Sequence, residues 1–252
     1  MSQSVGRALQ ILIDLGEGPR SLDDLAGKIG VHKTTVLRLL RTLEEERFVY
    51  RDGGHRYHLG ARMFALAGSA LEQREIRGAA APHLSRLNEA SGQTVHLGVY
   101  EGGEVVYLDK YDSRHPIRMY SKIGLRMPLH CTAIAKVLLS DLPDAERRQV
   151  AEKIEYTSFT ENTITGPELL LAELARVADQ GYAFDDAEHE TFITCIAAPI
   201  RDASGRVAAA ASISVPDVVL NRAQVLELLP DLLGTTRAIS TDCGFAEGNH
   251  HG

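Results

Sequence analysis

Cysteine is scarce and tryptophan is absent in this sequence of 252 residues. The three cysteines, Cys131, Cys195 and Cys243, lie far apart and form no C-x-x-C pair, so neither a disulfide framework nor a zinc ribbon is expected. The sequence also has no G-x-G-x-x-G, P-loop, G-x-S-x-G or H-E-x-x-H motif. Because those motifs mark many nucleotide-binding proteins, serine hydrolases and zinc proteases, their absence argues against these classes. We therefore predict no cofactor.

Long apolar runs are missing as well. No stretch approaches the roughly 20 apolar residues of a membrane-spanning helix. The first residues lack the basic and then apolar layout of a signal peptide. We therefore expect a cytoplasmic protein with no membrane partner.

The charge is distributed unevenly along the chain. Residues 1–62 hold 10 Lys and Arg against 8 Asp and Glu, a balance of +2, whereas the remaining residues hold 17 against 26, a balance of −9. A globally acidic chain binds nucleic acid weakly by charge alone. Any DNA contact is therefore expected in the amino-terminal third and should depend on dimer symmetry.

Residues 21–43 have the pattern of two short amphipathic helices. Ser21 followed three residues later by Asp24 predicts a capping box at the start of the first helix, and Gly30 predicts its end. In the second helix, apolar residues recur at i, i+3, i+4 and i+7, which is the spacing of one buried face. The opposite face carries hydroxyls and arginines, as in the recognition helix of a helix-turn-helix. The residues of the apolar face are Val36, Leu39, Leu40 and Leu43.

The flanking segments complete a winged domain. Residues 4–15 predict a preceding helix with Val5, Ala8, Leu9 and Leu12 on its inner face. After the recognition helix, residues 48–50 and 55–59 predict a hairpin around a glycine turn. A basic hairpin in this place is typical of a wing that contacts phosphate. The predicted DNA-binding residues are Arg7, Ser21, Lys33, Thr34, Thr35, Arg38, Arg41 and Arg56.

Arg38 is the residue that we expect to read bases, since arginine can make a bidentate contact to guanine. The alternative is that residues 21–43 form an ordinary helical hairpin with a solvated polar face, because charged outer faces are common on surface helices.

The remainder of the chain has an α/β pattern. We predict an α+β protein of two domains: a winged helix-turn-helix over 1–60, a linker helix over 61–76, an α/β domain with an antiparallel sheet over 77–243 and a disordered tail over 244–252. Within the second domain, the predicted strands are 94–100, 104–111, 117–123, 193–201 and 207–215, and the predicted helices are 79–90, 132–139, 144–153, 166–180 and 226–239.

Several motifs give the chain a family resemblance. In the amino-terminal part they are SVGRAL (4–9), KTTVLRLLRTL (33–43) and RYHLG (56–60), and in the second part PLHCTAIAK (128–136), GYA (181–183) with Glu188, and CIAAPI (195–200). In this order and spacing, they resemble the IclR family of bacterial transcriptional regulators over nearly the whole chain. Residues 117–124 also resemble the branch of that family that controls sugar-acid breakdown.

The resemblance implies a GAF-like effector domain that binds a small organic acid. Its ligand-contacting positions correspond to Ala133, Ile134, Asp185, Cys195, Ser212, Ile213 and Ser214. It also implies a homodimer or homotetramer that binds double-stranded DNA at an inverted-repeat operator.

The local chemistry of the implied site agrees with an acid that carries hydroxyl or keto groups. Thr132 could cap a helix whose first amides attract a carboxylate. Ser212 and Ser214 alternate on one strand, so both hydroxyls face one side. Asp185, if ionised, would accept hydrogen bonds from ligand hydroxyls. The plain alternative is that the serines bond to neighbouring backbone and that Cys195 is a buried apolar residue.

This sequence departs from the family pattern at two places. The family usually has Gly-Lys where this chain has Ala135 and Lys136, and usually has a glycine where this chain has Thr191 and Phe192. Both departures lie beside the expected pocket, so the shape of the pocket is expected to differ from that of relatives.

Two other functions remain open at this point. One is a cysteine-dependent enzyme with Cys195 or Cys131 as nucleophile and His130 or His189 as base, which needs thiol and imidazole within hydrogen-bond reach. The other is a thiol redox sensor centred on Cys195. The same four residues could bind zinc, but no closely spaced ligand pair supports this, and we predict no metal site.

Overall fold

The structure is a computed structural model that describes residues 3–116, 119 and 121–246. The chain divides into two compact units, residues 1–73 and residues 74–252. Each unit has its own apolar core. The fold is thus a helix-turn-helix unit followed by a unit with an antiparallel sheet and helices.

The first unit has three helices, a two-stranded hairpin and a further helix. Ser21 and Asp24 form the predicted capping box, and Gly30 ends the second helix in the left-handed conformation, with φ of 71°. Val36 and Leu40 of the third helix are buried against Ile11. The elements are α1 (Gln3–Gly16), α2 (Leu22–Ile29), α3 (Lys33–Glu45), β1 (Val49–Arg51), β2 (Tyr57–Leu59) and α4 (Ala61–Glu72).

The predicted inner face of α1 is wrong in part. Val5 and Leu9 are 59% and 55% exposed, whereas Ile11 and Leu15 are buried in the core, with Leu12 partly buried beside them. The segment is apolar on more than one face, so periodicity alone did not identify the face that packs.

The second unit is a six-stranded antiparallel sheet with the strand order β5-β4-β3-β8-β7-β6. One face packs against α5 and α10, and the other packs against α6. Successive side chains along each strand point to opposite faces of the sheet. The apolar core of this unit is therefore divided into two clusters, one on each face. The elements are α5 (Glu75–Ser91), β3 (Thr94–Glu101), β4 (Glu104–Tyr111), β5 (Arg126–Met127), α6 (Ala133–Ser140), α7 (Asp144–Lys153), α8 (Pro167–Gln180), β6 (Ala183–Asp186), β7 (Ile193–Arg201), β8 (Val207–Pro216), α9 (Arg222–Glu227) and α10 (Leu229–Asp242).

Several predicted elements differ from the observed ones. The predicted strand 117–123 lies partly outside the described residues, and its described residues carry no strand. The predicted linker helix 61–76 ends at Glu72, and α5 begins at Glu75 and continues through Gly78 and Pro82. The predicted helix 226–239 is two helices, α9 and α10. The predicted tail 244–252 lies outside the described residues apart from 244–246.

Within residues 3–116, 119 and 121–246, no helix is both long enough and apolar enough to cross a membrane.

Gly60 provides a test of the packing in the first unit. A Cβ at this position would lie 2.3 Å from the backbone oxygen of Arg47, so backbone has to move to admit one. We expect Gly60→Ala to lower the free energy of unfolding by about 1–3 kcal/mol, measured by urea titration with circular dichroism because the chain has no tryptophan.

Gly6→Ala is the matched control, since a Cβ there would meet nothing within 4 Å. It should be neutral or stabilising by up to about 1 kcal/mol. Equal stability of the two variants would contradict the packing described for Gly60.

Candidate functional site

The outer face of α3 carries the predicted base-reading residue. Arg38 and Arg41 are both exposed, and within the described part of the chain neither side chain makes a hydrogen bond or ion pair. Two side chains at the start of α3 already have partners within the protein. Thr34 Oγ1 lies 2.9 Å from His32 Nδ1, and Lys33 Nζ lies 2.8 Å from a carboxylate oxygen of Asp23. The two arginines are therefore available to an external ligand.

The other predicted DNA-contacting residues fall into two groups. Arg7 and Thr35 are partly exposed. Ser21 is occupied by the capping box, in which its hydroxyl accepts from the amide of Asp24. Arg56 donates from its guanidinium to the carbonyl of Pro19 at 2.6 Å, so it also fixes the hairpin to the preceding loop.

A cavity of about 160 Å³ lies in the second unit, between the sheet and the start of α6. Most of the predicted effector-binding residues line it: Ala133, Ile134, Asp185, Cys195, Ser212 and Ser214.

The prediction for Ile213 requires a correction. Its side chain is fully buried in the apolar core on the other face of β8, with Val95 and Leu97. Since neighbouring strand residues point to opposite faces, the two serines that line the cavity force Ile213 away from it.

The amino terminus of α6 forms one wall of the cavity. Thr132 stands at the N-cap position, but its hydroxyl donates to the carbonyl of Pro128 at 2.9 Å and makes no capping bond. The amides of Ala133 and Ile134 have no acceptor within the helix, as at every helix start. This end carries a partial positive charge that favours an anion.

His96 is a buried histidine next to Ser214 that sequence reasoning missed. His96 Nε2 is 2.7 Å from Ser121 Oγ, and its Nδ1 is 3.4 Å from Ser214 Oγ. Its ring stacks on that of Tyr107, with 4.4 Å between the centroids. Burial lowers the pKa of His96 to about 3, helped by the charge of Lys110. His96 is therefore neutral at physiological pH and supplies one donor and one acceptor.

The surroundings of Asp185 change the hydrogen bonds that its carboxyl can make. It is 3% exposed, and its Oδ1 accepts from the amide of Glu188 at 2.8 Å. Burial raises its pKa to about 7, with Glu188 adding to the rise and backbone donors and Lys136 opposing it. The carboxyl is therefore partly protonated near neutrality, and it can donate as well as accept.

Lys136 connects the start of α6 to the side of the cavity that carries Asp185. Its side chain is 1% exposed, and Nζ donates to the carbonyl of Phe184 at 2.8 Å and to Oε1 of Glu188 at 2.5 Å. A carboxylate oxygen of Glu173 on α8 lies 3.7 Å away. Burial raises the pKa of Glu188, whereas the charge of Lys136 lowers it. One ammonium group thus joins α6, β6 and the turn after β6.

That turn is under backbone strain. Ala187 has φ of 54°, a left-handed conformation that costs a residue with a Cβ about 1–2 kcal/mol. Thr160 donates to the carbonyl of Ala187 at 2.7 Å, and Thr163 donates to that of Glu188 at 2.6 Å. These bonds hold the turn in the position from which His189 reaches the cavity wall.

Part of the cavity lining was not predicted. The position of Tyr107 could have been inferred from strand alternation, and so could that of Ile193, which is two residues before Cys195 on β7. His96 does not line the cavity, but its place beside it could have been inferred from its position opposite Ser212. The others come from loops and the two-residue strand β5, where periodicity gives no signal. The lining residues that sequence reasoning missed as ligand contacts are Tyr107, Met119, Ser121, Leu125, Met127, His189, Glu190 and Ile193, while Thr132 was expected only as a cap.

The cysteines do not have the geometry of a nucleophile. Cys195 Sγ donates to Ser214 Oγ at 3.2 Å, and among the described residues no cysteine hydrogen-bonds to a histidine. Burial raises the thiol pKa of Cys131, Cys195 and Cys243, which lowers the thiolate fraction that reactivity requires. The described residues also contain no group of three or more His, Cys, Asp or Glu arranged to hold a metal ion.

Two family models match the chain and together cover most of it. Residues 4–53 match the IclR helix-turn-helix domain, and residues 68–241 match the carboxyl-terminal domain of the bacterial transcriptional regulator IclR. The chain belongs to the IclR family. Its membership fits the observed pairing of a helix-turn-helix unit with a cavity-bearing unit.

Individual IclR-family proteins are similar to this chain over nearly their whole length. The transcriptional regulator KdgR of Escherichia coli is 36% identical, covering 96% of this chain and 93% of that protein. The regulator XynR of E. coli is 35% identical, with 96% and 98% covered. The crystal structure of Thermotoga maritima IclR superposes with a TM-score of 0.79 at 30% identity, with 97% and 100% covered. These relatives are transcriptional regulators, which is consistent with a protein that is not an enzyme.

Lys136 offers a test of the cavity wall. We expect Lys136→Met to lower the free energy of unfolding by about 3 kcal/mol, because the carboxylate of Glu188 loses its buried partner. The loss should be smaller at pH 5 than at pH 8. Glu188 already has a raised pKa, and without Lys136 that pKa rises further, so its neutral form relieves the loss at low pH.

Urea titrations at the two pH values measure this effect. Adding Glu188→Gln to Lys136→Met should restore part of the stability, because it removes the unpaired charge. Lys153→Met, on the exposed surface of α7, is the matched control and should change stability by less than about 0.5 kcal/mol. A pH-independent loss would contradict the ion pair as the cause.

Proposed function

We propose that this IclR-family protein binds an inverted-repeat operator as a homodimer or homotetramer, and that a small organic acid in the cavity controls its operator binding or activity. The observation that carries the proposal is the cavity itself, where the start of α6 meets Ser212, Ser214 and Asp185. This arrangement offers amide and hydroxyl donors to a carboxylate and a carboxyl to a ligand hydroxyl or keto group.

The size of the cavity limits the effector. An internal cavity of roughly 150 Å³ accommodates benzene, and this one is about 160 Å³. A hydroxy or keto acid of about six non-hydrogen atoms fits the space as it stands. A six-carbon sugar acid, the class suggested by residues 117–124, exceeds this volume, so it would either extend through the open side of the cavity or require the cavity to widen.

DNA binding is assigned to α3. In a helix-turn-helix dimer, the two recognition helices enter major grooves about one helical turn apart, or a multiple of it. Arg38 is positioned on the exposed face of α3 to read a guanine, and the hairpin β1–β2 is assigned to phosphate contacts.

Arg38→Ala tests this assignment. We expect operator affinity to fall by roughly 5- to 150-fold, which corresponds to about 1–3 kcal/mol for a lost bidentate base contact, with relaxed specificity at one position of each half-site. Titration with operator variants at fixed salt measures both effects. Arg148→Ala, an exposed arginine on α7, removes the same charge outside α3 and should leave affinity unchanged. An unaltered footprint in Arg38→Ala would refute the assignment.

Two exposed apolar helix faces in the first unit support self-association. Helix α4 has no buried residue, and its Phe64 is 79% exposed. On α1, Val5, Leu9 and Ile13 are each more than half exposed and recur every four residues on one face. Large exposed apolar surfaces are unusual in monomers. A second copy of this chain is the partner that a palindromic operator requires.

Glutamate substitutions on these faces test the assembly. Leu9→Glu combined with Phe64→Glu should convert the dimer to monomer at micromolar concentration, because the charges would be buried in the interface. Sedimentation velocity measures the change, and operator affinity should fall at least tenfold as the second half-site contact is lost. Leu169→Glu, an equally exposed site in the second unit, is the control. An intact dimer in the double variant would exclude these faces as the interface.

Effector control is tested by linking ligand binding to DNA binding. A thermal-shift screen of hydroxy, keto and aromatic acids should identify compounds that raise the melting temperature, since they bind only the folded state. We expect such a compound to change operator affinity or the transcription that the protein drives by at least about fivefold, a coupling of about 1 kcal/mol. A compound that binds the cavity and changes neither would contradict the switch. Preference for uncharged apolar compounds would contradict the proposed ligand class.

A further inference from the structure

The charges that surround the cavity are unusual for a site that receives an acid. Among the described lining residues there is no lysine or arginine, whereas two, Asp185 and Glu190, carry carboxyl groups. Lys136 lies behind the wall, with its side chain 1% exposed, and its ammonium is already bonded to Glu188. Lys110 Nζ donates to the carbonyls of Met119 and Ser121 and is paired with Asp112. Among the described residues, a ligand carboxylate in this cavity therefore meets acidic walls and no free side-chain cation.

The donors that remain are neutral. They include the first amides of α6, the hydroxyls of Tyr107, Ser121, Ser212 and Ser214, and the half-buried His189. Burial lowers the pKa of His189, so it carries less positive charge than an exposed histidine. A helix terminus contributes about half of one positive charge. These groups do not offset the repulsion between a ligand carboxylate and an ionised Asp185 within the same small cavity.

Other elements that face Asp185 also leave this repulsion in place. Tyr107 on β4, Cys131 before α6 and Cys195 on β7 stay uncharged, because burial raises the pKa of each. Lys136, which lies behind the wall, is paired with Glu188, and Glu173 is nearby. These three residues together carry no net positive charge. When two carboxyls share a confined site, the pKa of one rises strongly.

We propose that the cavity takes up its acid together with one proton, which is held on Asp185, and that this restricts the effector to acids with a single carboxylate. The proton comes from solvent, and the neutral carboxyl of Asp185 then donates a hydrogen bond to the bound acid. A second carboxylate on the ligand would face Glu190 or a neutral wall, with no side-chain cation among the described lining residues to stabilise it. The inference rests on the proposed effector function and names the chemical class of its ligand.

The pH dependence follows from the free-state pKa of about 7 for Asp185. Binding of a carboxylate raises this pKa further, so proton uptake is small at pH 6 and approaches one proton at pH 8. The affinity for a monocarboxylate is then highest at low pH and falls by up to tenfold per pH unit above neutrality.

Isothermal titration calorimetry of the full-length protein tests the proposal, with lactate as the probe because it is a hydroxy acid of about the permitted size. Titrations in buffers of different ionisation enthalpy give the number of protons taken up. We expect close to one at pH 8 and far fewer at pH 6. Lactamide, the neutral analogue, should bind with no uptake. Tartronate, which adds a second carboxylate, should bind at least tenfold more weakly than lactate.

Two matched acid-to-amide variants locate the proton. Asp185→Asn keeps an acceptor for the amide of Glu188 and a donor for the ligand, so it should bind lactate with no proton uptake and with an affinity that does not change between pH 6 and pH 8. Glu190→Gln removes a charge from the same cavity and should retain the uptake of the parent protein. Circular dichroism of both variants verifies that they are folded.

The proposal is overturned if lactate binds without proton uptake, if Asp185→Asn retains the uptake, or if tartronate binds as tightly as lactate. Failure of lactate to bind at all overturns the assignment of a small monocarboxylate. Operator binding by the same preparations is measured in parallel. A failure of proton-coupled acid binding can then be distinguished from a failure of the proposed DNA-binding function.

Discussion

The buried bond between Lys136 and Glu188 is the interaction on which the cavity depends. It joins the helix whose first turn forms one wall to the turn that follows Asp185, and a carbonyl of β6 accepts from the same ammonium. Because a buried charge without a partner is costly, neither half of the pair can leave independently. The acidic wall and the helix terminus are therefore held in fixed relation, although the strained residue Ala187 lies between the end of β6 and Glu188. This one bond therefore fixes the distance between the two walls that a small ligand would contact.

The sequence predicted the elements whose periodicity has a single interpretation. The capping box at Ser21, the buried face of α3 and the strand pair that carries Ser212 and Ser214 are local patterns, and the structure has them as expected. The family motifs indicated six lining residues of the cavity, but Ile213 was misplaced because a motif records adjacency and not the side to which a strand residue points. The face of α1 was also misjudged, since an apolar helix with two apolar faces gives no sign of which one packs.

Properties that depend on burial were beyond sequence reasoning. Asp185 was expected to act as an acceptor if ionised, and its enclosure raises its pKa to about 7, so it can also donate. His96 had no motif to mark it, yet burial keeps it neutral between Ser121 and Ser214. The cysteines appeared to be candidate nucleophiles until their surroundings were known, and these surroundings favour the protonated thiol. In each case the side chain was visible in the sequence, but the dielectric environment that decides its chemistry was not.

Gly98 controls the depth of the cavity without lining it. It lies on β3 beneath α6, at a bulge in the strand, and a Cβ there would come within 2.7 Å of the side chain of Ile134. The absence of a side chain lets the first turn of α6 rest directly on the sheet. A side chain at this position would collide with that of Ile134, so either Ile134 or the first turn of α6 would have to shift. The shape of the cavity thus depends in part on a strand residue that does not itself line it.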